Sequence, residues 1–287
     1  MQTAVAALPP IHAASPEPET PLAAARDGRM SLQELMSQAQ ALQGAGQIEA
    51  AAQLYEAWIN GTESPMRPVA CFNWGTLLST AGQEPAAEAA YRRALDLQPG
   101  FAPALLNLGH LLERRGAVDA ALATWREVFD ADPPPALEHR LHALNNGARL
   151  LENVRRYPEA EALMRRSLEI KDAQLDVIQH YVHIRQKQCA WPHDLPVGCV
   201  SPNQFLLGTS LLATMGLHDD PALQLLAAQR FVHDKVPAPQ VVPLHTQTPP
   251  RSGRIRVGYL SGDLHMHAMG LLMPELLELH DRSRFEV

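Results

Sequence analysis

Gly75-Thr76-Leu77-Leu78-Ser79-Thr80-Ala81-Gly82 returns 34 residues later as Gly109-His110-Leu111-Leu112-Glu113-Arg114-Arg115-Gly116, and the likeness continues beyond both stretches. Ala87, Tyr91, Ala94 and Pro99 recur as Ala121, Trp125, Val128 and Pro133 at the same shift. Each unit reads as two antiparallel helices. Gly75 and Ala87 are small where the two helices must cross closely, and Leu78 and Tyr91 fill the space around the crossing. Pro99 ends the second helix, since proline lacks the N–H that a continuing helix needs. Agreement at every one of these positions makes this an internal repeat.

Weaker copies flank the pair. Upstream, Leu35, Ala39, Leu42, Gly46, Ala51 and Tyr55 fit with a two-residue insertion before the next unit. Downstream, Leu144, Ala148, Leu151, Ala160 and Met164 fit after extra residues around Pro133-Pro134-Pro135. Residues 172–188 predict one more helix packed on the last repeat. The period and pattern resemble the tetratricopeptide repeat, and four units exceed the roughly three that a stable solenoid requires. Stacked helix pairs of that kind curve into an extended trough, which implies a polypeptide or partner protein as ligand.

The repeats define the rest of the layout. Residues 1–30 combine proline, alanine and acidic residues without periodicity and read as a disordered tail. Order is expected from Ser31, which forms a capping box with Glu34 while Met30 and Leu35 supply a hydrophobic staple. Residues 31–188 are the repeats, and 189–253 a connector. Within it Ser201-Pro202 and Asp220-Pro221 each open an apolar helix with proline at the first position. Val236 is then followed by five prolines up to Pro250, a semi-rigid stretch. Trp191, beside Pro192 at the junction, reads as a packing anchor.

Residues 254–287 change register. Arg254-Ile255-Arg256-Val257-Gly258-Tyr259-Leu260-Ser261 alternates like a strand, a His-bearing loop and an apolar helix follow, and Phe285-Glu286-Val287 opens a second strand. Strand–helix–strand implies a parallel α/β domain, which needs further units to cover its sheet. The expected fold class is therefore mostly α: a tetratricopeptide-type α-solenoid followed by the first βα unit of a truncated Rossmann-like lobe. The chain is expected to be the front part of a larger protein.

Composition narrows the partners. A formal charge of −7 gives no electrostatic case for nucleic acid. Cys71, Cys189 and Cys199 are odd in number and form no CxxC pair, as free thiols in a reducing compartment would be. The N-terminus lacks a basic n-region and is broken by Pro9 and Pro10, unlike a signal peptide. The apolar stretch at 205–217 is too short to span a bilayer. A cytoplasmic protein without membrane partner is the expectation.

Two sets of residues carry candidate chemistry. Asn73 and Asn107 recur one repeat apart, and either form a ladder of amides that grips an extended peptide backbone or brace the helix turns. In Asp263-Leu264-His265-Met266-His267, polar residues follow a strand, where parallel α/β domains place their ligands. His-x-His can chelate a metal; His267 can instead serve as an acid/base or orienting group; or both histidines are solvated. Gly258 and Gly262 make no GxGxxG, so no dinucleotide fingerprint is present.

The order of repeats, Arg185-Gln186-Lys187-Gln188-Cys189-Ala190-Trp191, a two-helix connector and Arg254 through Asp263 is similar to the O-GlcNAc transferase / SPINDLY-like protein glycosyltransferases. Asp281-Arg282-Ser283-Arg284-Phe285-Glu286-Val287 resembles their entry into the second strand. The resemblance implies two Rossmann-like lobes in a GT-B arrangement and inverting transfer of a sugar, GlcNAc first among them, from a nucleotide sugar to Ser or Thr hydroxyls. It implies UDP-GlcNAc as donor substrate, no cofactor or metal, and His267 as the histidine after the first strand. Leu271 and Ala268 depart from the family pattern at a second histidine and a proline. This chain alone, with one βα unit of one lobe, is expected to be inactive. Pro274 predicts a kinked helix or one that starts near Met273.

Overall fold

The structure, a computed structural model, describes residues 20–236 and 253–287. Helices α2 (Leu32–Gly44) and α3 (Ile48–Gly61), α4 (Arg67–Thr80) and α5 (Glu84–Leu97), α6 (Ala102–Arg114) and α7 (Val118–Phe129), and α8 (Leu137–Asn153) and α9 (Tyr157–Ile170) form four successive hairpins. Helix α10 (Leu175–Lys187) packs on α9. The first helices α2, α4, α6, α8 and α10 all end alike. The residue after each cap is left-handed: Gly46, Gly82 and Gly116 at φ 75°, Arg155 at 63° and Cys189 at 52°. The next N–H then returns to a carbonyl of the last turn, as in Gln47 to Leu42, Gln83 to Leu78 and Arg156 to Leu151. This satisfies carbonyls that a helix end would otherwise leave open. Helix α10 is thus a fifth first helix.

The hairpins close by side chain into hole. A Cβ on Gly75 would stand 2.6 Å from the Tyr91 ring, and one on Gly109 would stand 2.2 Å from Nε1 of the Trp125 indole. The glycines therefore make room for a ring, not for a backbone. Trp125 also donates from Nε1 to the Leu106 carbonyl at 3.2 Å. In the outer repeats alanine replaces the glycine, with Ala39 and Tyr55 at one end and Ala148 and Met164 at the other, all buried. Trp58, Trp125, Tyr91 and Tyr181 are among the largest fully covered side chains. A low aromatic fraction of 5% is concentrated at the places where helices meet.

Several expectations need correction. The tail at 1–30 is not structureless throughout: residues 1–19 lie outside the described residues, but α1 (Pro21–Arg26) follows Thr20, whose side chain caps it. Its end lies against α3, where the missing Cβ of Gly61 admits the Ala25 and Arg26 carbonyls. Trp58 donates to the Met30 carbonyl at 2.7 Å and fixes the entry to α2, where the capping box of Ser31 and Glu34 is formed. The apolar stretch 205–217 is two helices, α11 (Pro202–Gly208) and α12 (Leu211–Leu217), followed by α13 (Pro221–Lys235). Thr209 turns its hydroxyl back to the Phe205 carbonyl while Ser210 caps α12, so one helix stops and another starts. The proline-rich part of the connector at 237–252 lies outside the described residues.

The junction after α10 is built on Arg185, which is buried. It pairs with Glu161 of α9, donates to the Pro192 carbonyl at 2.8 and 3.1 Å, and lies over the Tyr181 ring. Tyr181 in turn holds the Leu195 carbonyl at 3.2 Å. Trp191 is no anchor: it is 70% exposed and stacks on His193, with ring centroids 3.7 Å apart. Gly208 then lets α11 approach Ile178 of α10, so α11 occupies the side where a second helix would stand.

Residues 253–287 contain β1 (Ile255–Arg256), α14 (Ala268–Glu278) and β2 (Phe285–Glu286). The strands are parallel, with Ile255 opposite Phe285 and Arg256 opposite Glu286. The strand expected over 254–261 pairs only here, through Ile255 N–H to Arg284 O and Val257 N–H to Glu286 O. Among the described residues no other strand joins them. Helix α14 begins at Ala268, not near Met273, and carries Pro274 inside it. It buries no residue, so Leu271, Leu272 and Leu279 stay exposed. This is a single βαβ turn; a Rossmann-like lobe would need more strands.

Gly109→Ala should destabilise the array by about 1–3 kcal/mol through overpacking, and adding Trp125→Met should recover part of the loss by copying the Ala148 and Met164 pair. Urea unfolding of the single and double variants checks both. Arg155→Gly should stabilise by up to about 1 kcal/mol, since an exposed side chain is strained in the left-handed region. An unchanged or lowered midpoint would contradict the assignment of that turn.

Candidate functional site

Asn73 and Asn107 lie on α4 and α6, each two residues before the glycine that receives a ring. The fourth hairpin, shifted by 39 rather than 34, places Asn146 at the same point before Ala148. On α10 that position is His180, two residues before the buried Val182. The fourth repeat's Ala148 and Met164 imply this register in the sequence, and the shared left-handed turns bear it out.

The two readings of the asparagines turn out to be compatible. Asn107 donates from Nδ2 to the Tyr91 hydroxyl at 3.3 Å and to Thr76 Oγ1 at 3.4 Å. Asn146 Nδ2 lies 3.1 Å from Nε2 of His110. Thr76 and His110 follow the ring-receiving glycines of the preceding repeats, so each amide nitrogen ties its repeat to the one before. The Oδ1 atoms of Asn107 and Asn146 take no hydrogen bond among the described residues and remain acceptors for a ligand. Asn73 is different. Its Nδ2 is buried without a partner, in a hollow of about 240 Å³ between α2 and α4 that Gln40, Gln43, Thr76 and Thr80 also line. An orphaned buried donor is costly and is relieved by any acceptor that enters.

A second hollow of about 190 Å³ lies between α8 and α10, lined by Asn146, Arg149, Met164, Asp176 and His180. Two of its lining side chains, Arg149 and His180, meet carboxylates of the preceding repeat. Glu113 of α6 accepts from Arg149 of α8 at 2.8 Å and lies 3.6 Å from Nδ1 of His110. Glu152 of α8 stands 2.8 Å from His180 of α10. Burial lowers the His110 pKa below the usual imidazole value, opposed by its contact with Glu113. His142 is lowered in the same way, by burial first and by His139 second. The face thus presents amides and hydroxyls beside the Arg149–Glu113 pair and imidazoles of which burial favours the neutral form at His110 and His142.

His267 has a defined local role. It is the N-cap of α14, and its Nδ1 accepts from the Met269 N–H at 3.3 Å. A neutral ring that accepts at Nδ1 carries its proton on Nε2, so it offers a donor outward. His265 is also exposed, its ring 6.0 Å from that of His267. Among the described residues no three His, Cys, Asp or Glu are grouped to hold a metal ion. A third ordered imidazole went unnoticed in the sequence. His280 Nδ1 donates to the Leu276 carbonyl at 2.6 Å, and its Nε2 shares a hydrogen bond with the Tyr259 hydroxyl at 2.9 Å. That bond links the end of α14 to the segment after β1. Among the described residues no helix is long and apolar enough to cross a membrane.

The tetratricopeptide repeat family profile matches residues 140–171, the hairpin of α8 and α9. No curated protein sequence matches the chain at a significant level. Among solved structures, pilF of Pseudomonas aeruginosa is similar at 17% identity and a TM-score of 0.51, over 75% of this chain and 92% of that one. The C-terminal part of a TPR repeat-containing protein from Cytophaga hutchinsonii is similar at 11% identity and a TM-score of 0.53, over 71% of this chain and 83% of that one. These likenesses bear on the fold alone. The hairpin array of this chain has a tetratricopeptide-like solenoid fold, and its fourth hairpin matches the repeat family itself.

Proposed function

We propose that the first-helix face of the array is a polypeptide-binding groove, and that the chain is the substrate-presenting part of a protein O-glycosyltransferase of the O-GlcNAc transferase / SPINDLY type. The observation that carries the first half is the register of Asn73, Asn107 and Asn146, with two amide nitrogens held by the preceding repeat and their oxygens open. An extended peptide repeats its N–H groups at a regular rise and can donate to such oxygens without reference to side-chain identity. That suits an enzyme with many acceptors. The neutral polar lining of the hollow beside Asn73 is compatible with Ser- and Thr-rich segments.

The transferase half rests on the resemblance of residues 254–287 and the junction before them, and the parallel strand–helix–strand turn there is consistent with it. In that reading the donor is a nucleotide sugar, UDP-GlcNAc first among them, bound between two lobes of which this chain supplies one turn. His267 then orients substrate through Nε2–H while Nδ1 caps α14. A non-enzymatic tetratricopeptide scaffold is the second reading, since the groove geometry alone accounts for partner binding.

Fluorescence anisotropy with labelled, unstructured Ser/Thr-rich peptides tests the groove. Binding should weaken about two- to tenfold for Asn107→Ala and for Asn146→Ala, as the loss of one neutral hydrogen bond requires; peptides that bind all variants equally would remove the ladder from the mechanism. Calorimetry of this chain with UDP-GlcNAc should give no signal at sub-millimolar affinity. The protein isolated from its own cells, with an antibody raised against this chain, should transfer GlcNAc onto the bound peptides. Binding without transfer would leave the scaffold. In the active protein His267→Asn, which keeps a capping oxygen, should lower kcat/KM about tenfold; a loss of about 10²-fold or more would instead mark a proton-transfer role.

A further inference from the structure

We propose that His110 is the positioning residue of the third rung: its neutral ring holds the Asn146 amide with oxygen toward the groove, and protonation of that ring reverses the amide. The inference rests on the groove reading for its consequence, though not for its geometry.

Nε2 of His110 and Nδ2 of Asn146 are 3.1 Å apart. An amide nitrogen only donates, so Nε2 must accept, which places the imidazole proton on Nδ1. There Glu113 Oε2 lies 3.6 Å away and is itself held by Arg149 at 2.8 Å. The ring cannot swing aside easily, because it stands edge-on to the buried Trp125 at 5.3 Å between centroids. Protonated, the imidazole has two donors and no acceptor. The amide of Asn146 then faces an N–H with its own NH₂ and must turn. Oδ1 accepts from His110, and the NH₂ points to the groove. A rung that took a peptide N–H now repels one and seeks a carbonyl.

The ionisable groups facing His110 are Glu113 on its own helix α6 and His142 and Arg149 on α8, with His139 beside His142; α7 contributes the Trp125 indole. Burial, His142 and Arg149 all favour the neutral ring and Glu113 opposes them. The folded-state pKa is thus below the ordinary imidazole value of about 6.5, so the acceptor-presenting form holds at neutral pH and is lost as the pH falls through that lowered pKa. The preceding rung has a built-in control. Asn107 is held by the hydroxyls of Thr76 and Tyr91, which accept its N–H at any pH in this range.

The test is nitrogen-resolved NMR of the whole chain from pH 7.5 to 5. At pH 7.5 His110 should be the Nδ1–H tautomer. On acidification the Asn146 side-chain amide signals should move with the His110 midpoint while those of Asn107 stay fixed. His110→Gln, whose Oε1 accepts without titrating, should abolish the movement, and His110→Lys should give the acidic pattern of Asn146 at pH 7.5. An Nε2–H tautomer, or Asn146 signals that ignore the His110 titration, would overturn the proposal without any variant being needed. With the Ser/Thr-rich peptides, affinity should fall about fivefold in the native chain as the pH drops through the His110 midpoint found by NMR, and stay level in His110→Gln. If no peptide binds at pH 7.5 the groove reading fails, and the NMR titration still decides the coupling of His110 to Asn146.

Discussion

A ring seated in the hole left by a missing side chain is the contact on which this array depends. Gly75 admits Tyr91, and Gly109 admits Trp125. Each pair sets how closely two helices of a hairpin lie, and that spacing places every other residue on the first-helix face. The constraint is mutual, because a close-packed interior has no slack to absorb an added methyl group. Where alanine stands in place of the glycine, its partner is Tyr55 in the first repeat and Met164 in the fourth.

That packing lets the asparagines do two things at once. Fixed two residues from the crossing, Asn107 and Asn146 reach the preceding repeat with nitrogen and leave oxygen free. A rung used as a brace is pre-organised, so a ligand need not bear the cost of ordering it. Such ordering comes from residues one position past the glycine, Thr76 and His110, which look unremarkable as loose polar residues on helices. Their difference in chemistry makes one rung indifferent to pH and the next sensitive to it.

The array ends on charge as much as on apolar cover. Arg185 is buried and survives there because Glu161, the Pro192 carbonyl and the Tyr181 ring surround it. Removing one partner would leave a charge with nowhere to go, which costs far more than the pair contributes. The result is that the chain leaves the fifth first helix along a fixed path and α11 covers that helix in place of a second one.

The sequence by itself determined the repeat, its antiparallel hairpins, the capping box at Ser31 and the strand–helix–strand order at the end, because those follow from spacing and local chemistry along the chain. It also marked Asn73 and Asn107, whose period is regular. It also set Ala148 in register with the glycines, but it could not show that Asn146 meets His110 of the preceding repeat, and the left-handed turn at Arg155 carries no glycine to signal it. Nor could it show that α1 packs on α3 through Gly61, that Trp191 is exposed, or that His267 caps a helix. Those facts depend on which groups from distant repeats come within hydrogen-bonding or packing distance, and a one-dimensional pattern holds no record of that. The tertiary structure alone decided that the Asn146 amide nitrogen meets His110, because those two groups lie 36 residues apart in the chain.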